Sequence, residues 1–271
     1  MFVGWIRKDS FKNDLDELEK NCVIDKNLLQ NSAFYNQRLC FGAYEGSTLE
    51  AVISAFSFDK SVYINNFYYK QNVSKEIKER LLKLLLRNLE LRDKSIYLLV
   101  REDEKEIFTS SGFESFAKFR QVTYSGAGAV FNFNNAMAKS ISNENYANII
   151  KQIDRSCFND DRFGYVTKSI FKTSSLLLST QSGFQHSYAL NKNIIKLSPW
   201  IMRDMSYDDS EKMMRGVIYH RGLKKILAFI PEEVEEITNL YKTYKFDFLE
   251  RYELMYLNKK PNINIEMIYG F

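Results

Sequence analysis

Histidine, proline and cysteine are scarce in this chain, at two, three and three residues among 271. With only His186 and His220 to draw on, neither a histidine-based metal site nor a Ser-His-Asp triad is expected. Cys22, Cys40 and Cys157 are odd in number and widely spaced, which argues against a disulfide framework or a C-x-x-C metal site and reads as buried thiols. No apolar run approaches the roughly eighteen residues of a membrane span. The opening stretch "MFVGWIRKDSFKNDLDELEK" lacks the apolar core and cleavage site of a signal peptide. A soluble cytoplasmic protein with no membrane partner is expected. The formal charge of +4 is too small to argue for nucleic acid, while mild basicity suits an anionic small ligand.

What the chain does have is apolar and aromatic bulk: 45% hydrophobic and 15% aromatic residues can fill one large or two modest cores, and two domains are expected. An internal repeat supports this. The first half offers a hairpin, "RLCFGAYEGSTLEAVISAFSF", turning at Glu45, Gly46 and Ser47, then a strand "VYINNFYYK", a helix "SKEIKERLLKLLLRNL", a strand "SIYLLV", a helix "EDEKEIFTSSGF" and a strand "ESFAKFRQVTY". The second half repeats the order with "SLLLSTQSGFQHSYAL", "IIKLSPWIM", "SYDDSEKMMRGVIYHRG", "KKILAFI", "PEEVEEITNLYKTYKF" and "DFLERYELMYL". Between them lies the glycine-rich "SGAGAV", the expected boundary, followed by two helices, "ENYANIIKQIDRSCF" and "DRFGYVTKSIFK".

Periodicity carries these assignments. Ile77, Leu81, Leu84, Leu85 and Leu89 fall on one helical face, and Glu76–Arg80 and Glu79–Lys83 are i, i+4 pairs in the favourable orientation. Ser74 is placed to cap that helix, Gly112 to close the next one in the left-handed conformation, and Pro231 to occupy a helical first turn.

This order of hairpin, strand, helix, strand, helix and strand resembles the GNAT superfamily of acyl-CoA-dependent N-acyltransferases, once over residues 5–124 and again over 140–257. The resemblance implies an α/β (α+β) fold of two GNAT-like domains, residues 1–127 and a divergent 128–271, each a mixed, mostly antiparallel sheet flanked by helices. In that fold the sheet splays between its fourth and fifth strands, and the pantetheine arm lies in the split. "SCFNDDRFGYVTKSI" resembles a helix start found in second domains of tandem members, with Asn159 at the first glycine. Asp161 and Arg162 there read as a helix cap and a structural ion pair.

The resemblance further implies acetyl-CoA or another acyl-CoA as cofactor, and direct attack by a small-molecule or peptide amine. Phe67, Tyr68, Tyr69, Val73, Ser74, Lys75, Glu76, Ile77 and Lys78 correspond to the cofactor-binding strand end and phosphate turn. The family's turn is glycine-rich, whereas "QNVSKEIKE" has no glycine; the helix start and its lysines remain as a generic anion site. The second half carries Asp208 and Asp209 there, which repel a diphosphate. The family's acid is a tyrosine on the following helix. The first half has Phe108 at that place, and the second has Tyr241, which serves equally well as a packing residue. No carboxylate lies on "VYINNFYYK", so Asn65 and Asn66 are candidates to orient substrate or water, or else mark a β-bulge. A non-catalytic GNAT-fold binding or regulatory protein stays open, as does a second domain serving the first as a platform, and oligomeric state is left open.

Overall fold

The computed structural model describes residues 1–20, 22–89, 93–126, 139–140, 147–167, 175–203 and 206–271. The chain forms two compact units: Met1–Phe116 with Leu254–Pro261, and Ala117–Glu253 with Asn262–Phe271. Of the expected glycine-rich boundary only Ser125 and Gly126 are among the described residues.

In chain order the elements are β1 (Phe2–Trp5), α1 (Phe11–Glu19), α2 (Lys26–Tyr35), β2 (Cys40–Glu45), β3 (Thr48–Ser57), β4 (Ser61–Tyr69), α3 (Lys75–Asn88), β5 (Ser95–Arg101), α4 (Glu106–Thr109) and β6 (Glu114–Tyr124). There follow β7 (Lys139–Ser140), α5 (Ala147–Phe158), α6 (Phe163–Tyr165), β8 (Leu176–Ser179), β9 (Gly183–Ala189), β10 (Ile194–Met202), α7 (Tyr207–Arg221), β11 (Lys225–Pro231), α8 (Glu235–Thr243), β12 (Asp247–Leu257) and β13 (Ile268–Gly270). Among the described residues no helix is long and apolar enough to cross a membrane.

In the first unit the strand order is β1-β2-β3-β4-β5, with the end of β12 beside β5. All these pairs from β1 to β4 are antiparallel, and β4 and β5 are parallel, joined by α3. Of the expected α3 stripe, Leu81, Leu85 and Leu89 are buried and Ile77 and Leu84 partly so, joined by buried Leu82, against Ile53, Ile64 and Leu98 of the sheet, each fully buried leucine contributing about 1.5–3 kcal/mol by removal from water. Phe11, Leu15, Leu18 and Leu29 of α1 and α2 close the opposite face over Cys40, Leu49 and Val52. Gly46, at φ +60°, makes the β2–β3 turn, and Gly112, at φ +89°, follows α4.

The second unit has the order β6-β11-β10-β9-β8-β7, with β10 and β11 parallel across α7 and β13 antiparallel to β10. Trp200, Met213, Met214, Val217, Ile237, Leu240 and Tyr241 form its core. Each repeat therefore gives the end of its last strand to the other unit: β6 pairs with β11 from Phe119 to Tyr124, while Leu254–Pro261 belong with the first unit. Pro231 ends β11 instead of opening α8, which starts at Glu235. Asp161 accepts from Phe163 N (3.1 Å) at the start of α6, whereas Arg162 pairs with Asp154 (3.0 Å) on α5.

Candidate functional site

β4 changes face part-way along. Ser54 of β3 pairs with Asn66, but its neighbour Ala55 pairs with Ile64, so Asn65 is an extra residue in the ladder. This bulge is why Ile64 and Phe67 both belong to the α3 side while the two asparagines between them share the other. Asn65 and Asn66 converge on one hydroxyl: Ser54 Oγ donates to Asn65 Oδ1 (2.9 Å) and accepts from Asn66 Nδ2 (2.8 Å). Asn65 Nδ2 then donates to Ser32 Oγ (2.9 Å), which donates to Leu28 O (2.8 Å) in α2. The chain has one unused end. Asn66 is 2% exposed, and its Oδ1 has no hydrogen-bond partner, an acceptor suited to an N–H group.

Beyond the bulge, β4 and β5 part company: they pair only from Ser61 to Tyr63 against Ser95 to Tyr97. Aromatic side chains from the end of β4 and from α4 pack together on the α3 side. Phe67 meets the Phe108 ring of α4 edge-on at 5.8 Å, and Phe108 meets Phe113 at 5.8 Å. Tyr69 hydrogen-bonds Glu104, and burial followed by that carboxylate raises its phenol pKa. Tyr68 points to the other face, its hydroxyl accepting from Asp25 N (3.3 Å).

The turn into α3 differs from expectation in three ways. Val73 N–H is spent on Lys70 O (3.1 Å) and its side chain is buried, so it cannot face an anion. Ser74 occupies the N-cap position, but its hydroxyl lies 3.1 Å from Glu76 Oε2 and does not cap the helix. The lysines are also engaged: Lys70 with Glu50 (2.7 Å), Lys75 with Glu106 (2.7 Å), and Lys78 Nζ 3.7 Å from the centre of the Tyr69 ring. Burial lowers the Lys78 pKa, with Glu104 opposing. What remains for an anion are the N–H groups of Lys75, Glu76 and Ile77, which have no acceptor within a helix, and exposed Lys75, whose partner Glu106 is a surface ion pair worth little.

The second unit arranges its equivalents differently. At the start of α7, Ser206 Oγ accepts from Asp209 N (3.4 Å), and Asp208 and Asp209 fill the first turn. Tyr241 is fully buried, its ring packed against Phe246 (4.8 Å) and Trp200 (6.0 Å), and its hydroxyl donates to Tyr269 O (2.6 Å). This corrects its candidacy as an acid: the proton is committed to a backbone carbonyl, and burial raises the phenol pKa well above its ordinary value.

The sequence matches no protein-family model and no curated protein. Solved structures do match. A Pyrococcus horikoshii protein described as a candidate acetyltransferase superposes over 100% of this chain and 93% of its own, at TM-score 0.82 and 17% identity. A GCN5-related N-acetyltransferase from Sphaerobacter thermophilus covers 98% of each chain at TM-score 0.66 and 10% identity. A tandem GNAT protein from the clavulanic acid biosynthesis pathway, solved without acetyl-CoA, covers 94% of this chain and 98% of its own at TM-score 0.66 and 8% identity. The chain has the GNAT fold. On this GNAT frame the first unit brings Asn65 with Asn66 and Phe67 with Tyr69, while Tyr241 lies in the second unit. Sequence reading missed Glu104 as the partner of Tyr69, and it missed β13, whose only signal was the apolar alternation in "NINIEMIYGF".

Proposed function

We propose that this chain is an N-acyltransferase of tandem GNAT type, which transfers an acetyl or other acyl group from acyl-CoA to a small-molecule or peptide amine by direct attack in the first unit. The observation that carries this reading is the first unit's combination of a short β4–β5 pairing, which ends at Tyr63 and Tyr97, with the bulge that leaves Asn66 Oδ1 unpartnered. The residues fit an acyl-CoA: an extended arm can lie against Phe67 and Tyr69 once those rings turn, and a diphosphate can meet the N–H groups of Lys75, Glu76 and Ile77 with Lys75 beside them. Without glycine, β-carbons crowd that turn and weaken the fit.

Acyl-CoA, when bound, supplies a thioester carbonyl activated for attack. Asn66 would accept an N–H of the amine, and the Ser54–Asn65–Ser32 chain would hold Asn66 in place. With no carboxylate on β4, the amine reacts as the neutral base or loses its proton to water. Three free cysteines support a cytoplasmic setting. A second reading, a GNAT-fold binding protein without turnover, is favoured by Phe108 in the acid's place and by the sealed Tyr241. Calorimetric titration with acetyl-CoA, paired with measurement of CoA thiol released in the presence of an amine panel, separates the two. Binding with turnover supports transfer, whereas binding without turnover, or no heat up to millimolar ligand, removes transfer and supports the second reading.

A further inference from the structure

In the second unit β10 and β11 also pair only briefly, Ile194 to Lys196 against Lys225 to Leu227. Here the widening space holds a strand. β13 runs antiparallel to β10, with Gly270 opposite Trp200 and Ile268 opposite Ile201, and Phe271 N–H donates to Phe229 O of β11 (2.9 Å). The segment thus bonds to both strands through its backbone, the pattern by which a sheet takes up an added strand. Its side chains are seated too: Tyr269 packs on Trp200 (5.3 Å), and Phe271 on Phe119 (5.5 Å) and Phe158 (6.3 Å). Tyr241 holds it by a further hydrogen bond to Tyr269 O. Gly270 is required by space: a β-carbon there would stand 2.9 Å from Leu197 O and 3.3 Å from Trp200 Cβ.

We propose that the β10–β11 opening is a strand-binding site kept filled by this chain's own residues 268–271, and that the second unit takes no other extended ligand while that segment is seated. The seated segment also keeps the Tyr241 phenol bonded and dry. The inference uses nothing from the first unit, and its test involves no acyl-CoA, so it stands or falls apart from the proposed function.

The test is hydrogen exchange on the full chain and on Gly270→Val and Tyr241→Phe, each with and without a synthetic peptide of residues 262–271. Exchange in Gly270→Val is expected to rise tenfold or more at 268–271 and at the facing amides of β10 and β11. Saturating peptide should restore the β10 and β11 amides, while the unaltered chain should not respond to peptide. Tyr241→Phe should speed exchange at 268–271 by about threefold to a hundredfold, with α3 amides unchanged. Wild-type exchange in Gly270→Val, or a variant with protected α3 amides that ignores the peptide, would overturn the proposal. Should Gly270→Val fail to fold, an unchanged rate at 268–271 in Tyr241→Phe would overturn it instead.

Discussion

Replacing Tyr241 by phenylalanine separates an acid from a structural tyrosine. The ring stays, so packing against Phe246 and Trp200 survives and no cavity forms. What is lost is the 2.6 Å hydrogen bond to Tyr269 O. A buried carbonyl left without its donor costs about 1–3 kcal/mol, and at about 2–4 °C per kcal/mol for a unit of this size Tm should fall by about 2–12 °C. Turnover should stay within about twofold, whereas loss of a positioned general acid lowers rates by about a hundredfold to ten-thousandfold. Differential scanning calorimetry and steady-state acyl transfer on the same preparation give both numbers. A kcat reduced a hundredfold at unchanged Tm would refute the structural assignment.

Asn66→Ala removes the unpartnered acceptor and one hydrogen bond to Ser54; kcat/KM for the amine should drop about five- to tenfold while stability changes by about 1 kcal/mol or less, and an unchanged kcat/KM would remove Asn66 from the site. Asp154→Ala takes from the buried Arg162 guanidinium the carboxylate it meets at 3.0 Å, and denaturant titration should show a loss of about 3–5 kcal/mol; a loss under about 1 kcal/mol would contradict this. Burial, with Arg221 adding, pushes the His186 imidazole down to about 3, against the hydrogen bond to Ser198 O. The unfolded chain then binds a proton near pH 6.5 that the folded chain refuses, so this stability is complete above pH 6.5 and is lost at about 1.4 kcal/mol per pH unit as pH falls toward 3. His186→Gln should flatten stability over that window, and an identical slope would show that other groups set it.

Much of the fold is legible because local chemistry and packing agree. The leucines of α3 at i, i+4 and i+8, the φ of Gly46 and Gly112, and the asparagine pair at the bulge all follow from residue type and spacing. The exchange of last strands is not legible in this way: "ESFAKFRQVTY" and "DFLERYELMYL" carry similar alternation, and either would satisfy the exposed edge of β5 or β11. Pro231 reads as a helix opener until the pairing of β11 with β6 claims it. At the site, sequence shows charge without showing where it is spent. Lys75 and Lys78 read as available cations, but Glu106, distant in sequence, pairs with Lys75, and Lys78 sits over the Tyr69 ring. Tyr241 fits a motif, and β13 shows why its proton is unavailable.

Hydrogen exchange with and without saturating acetyl-CoA is the most direct test of where a cofactor lies. The account predicts slowed exchange at residues 75–78 and 98–101 of the first unit, with β10, β11 and β13 unaffected. Protection confined to β10 and β11, accompanied by release of residues 268–271, would contradict it.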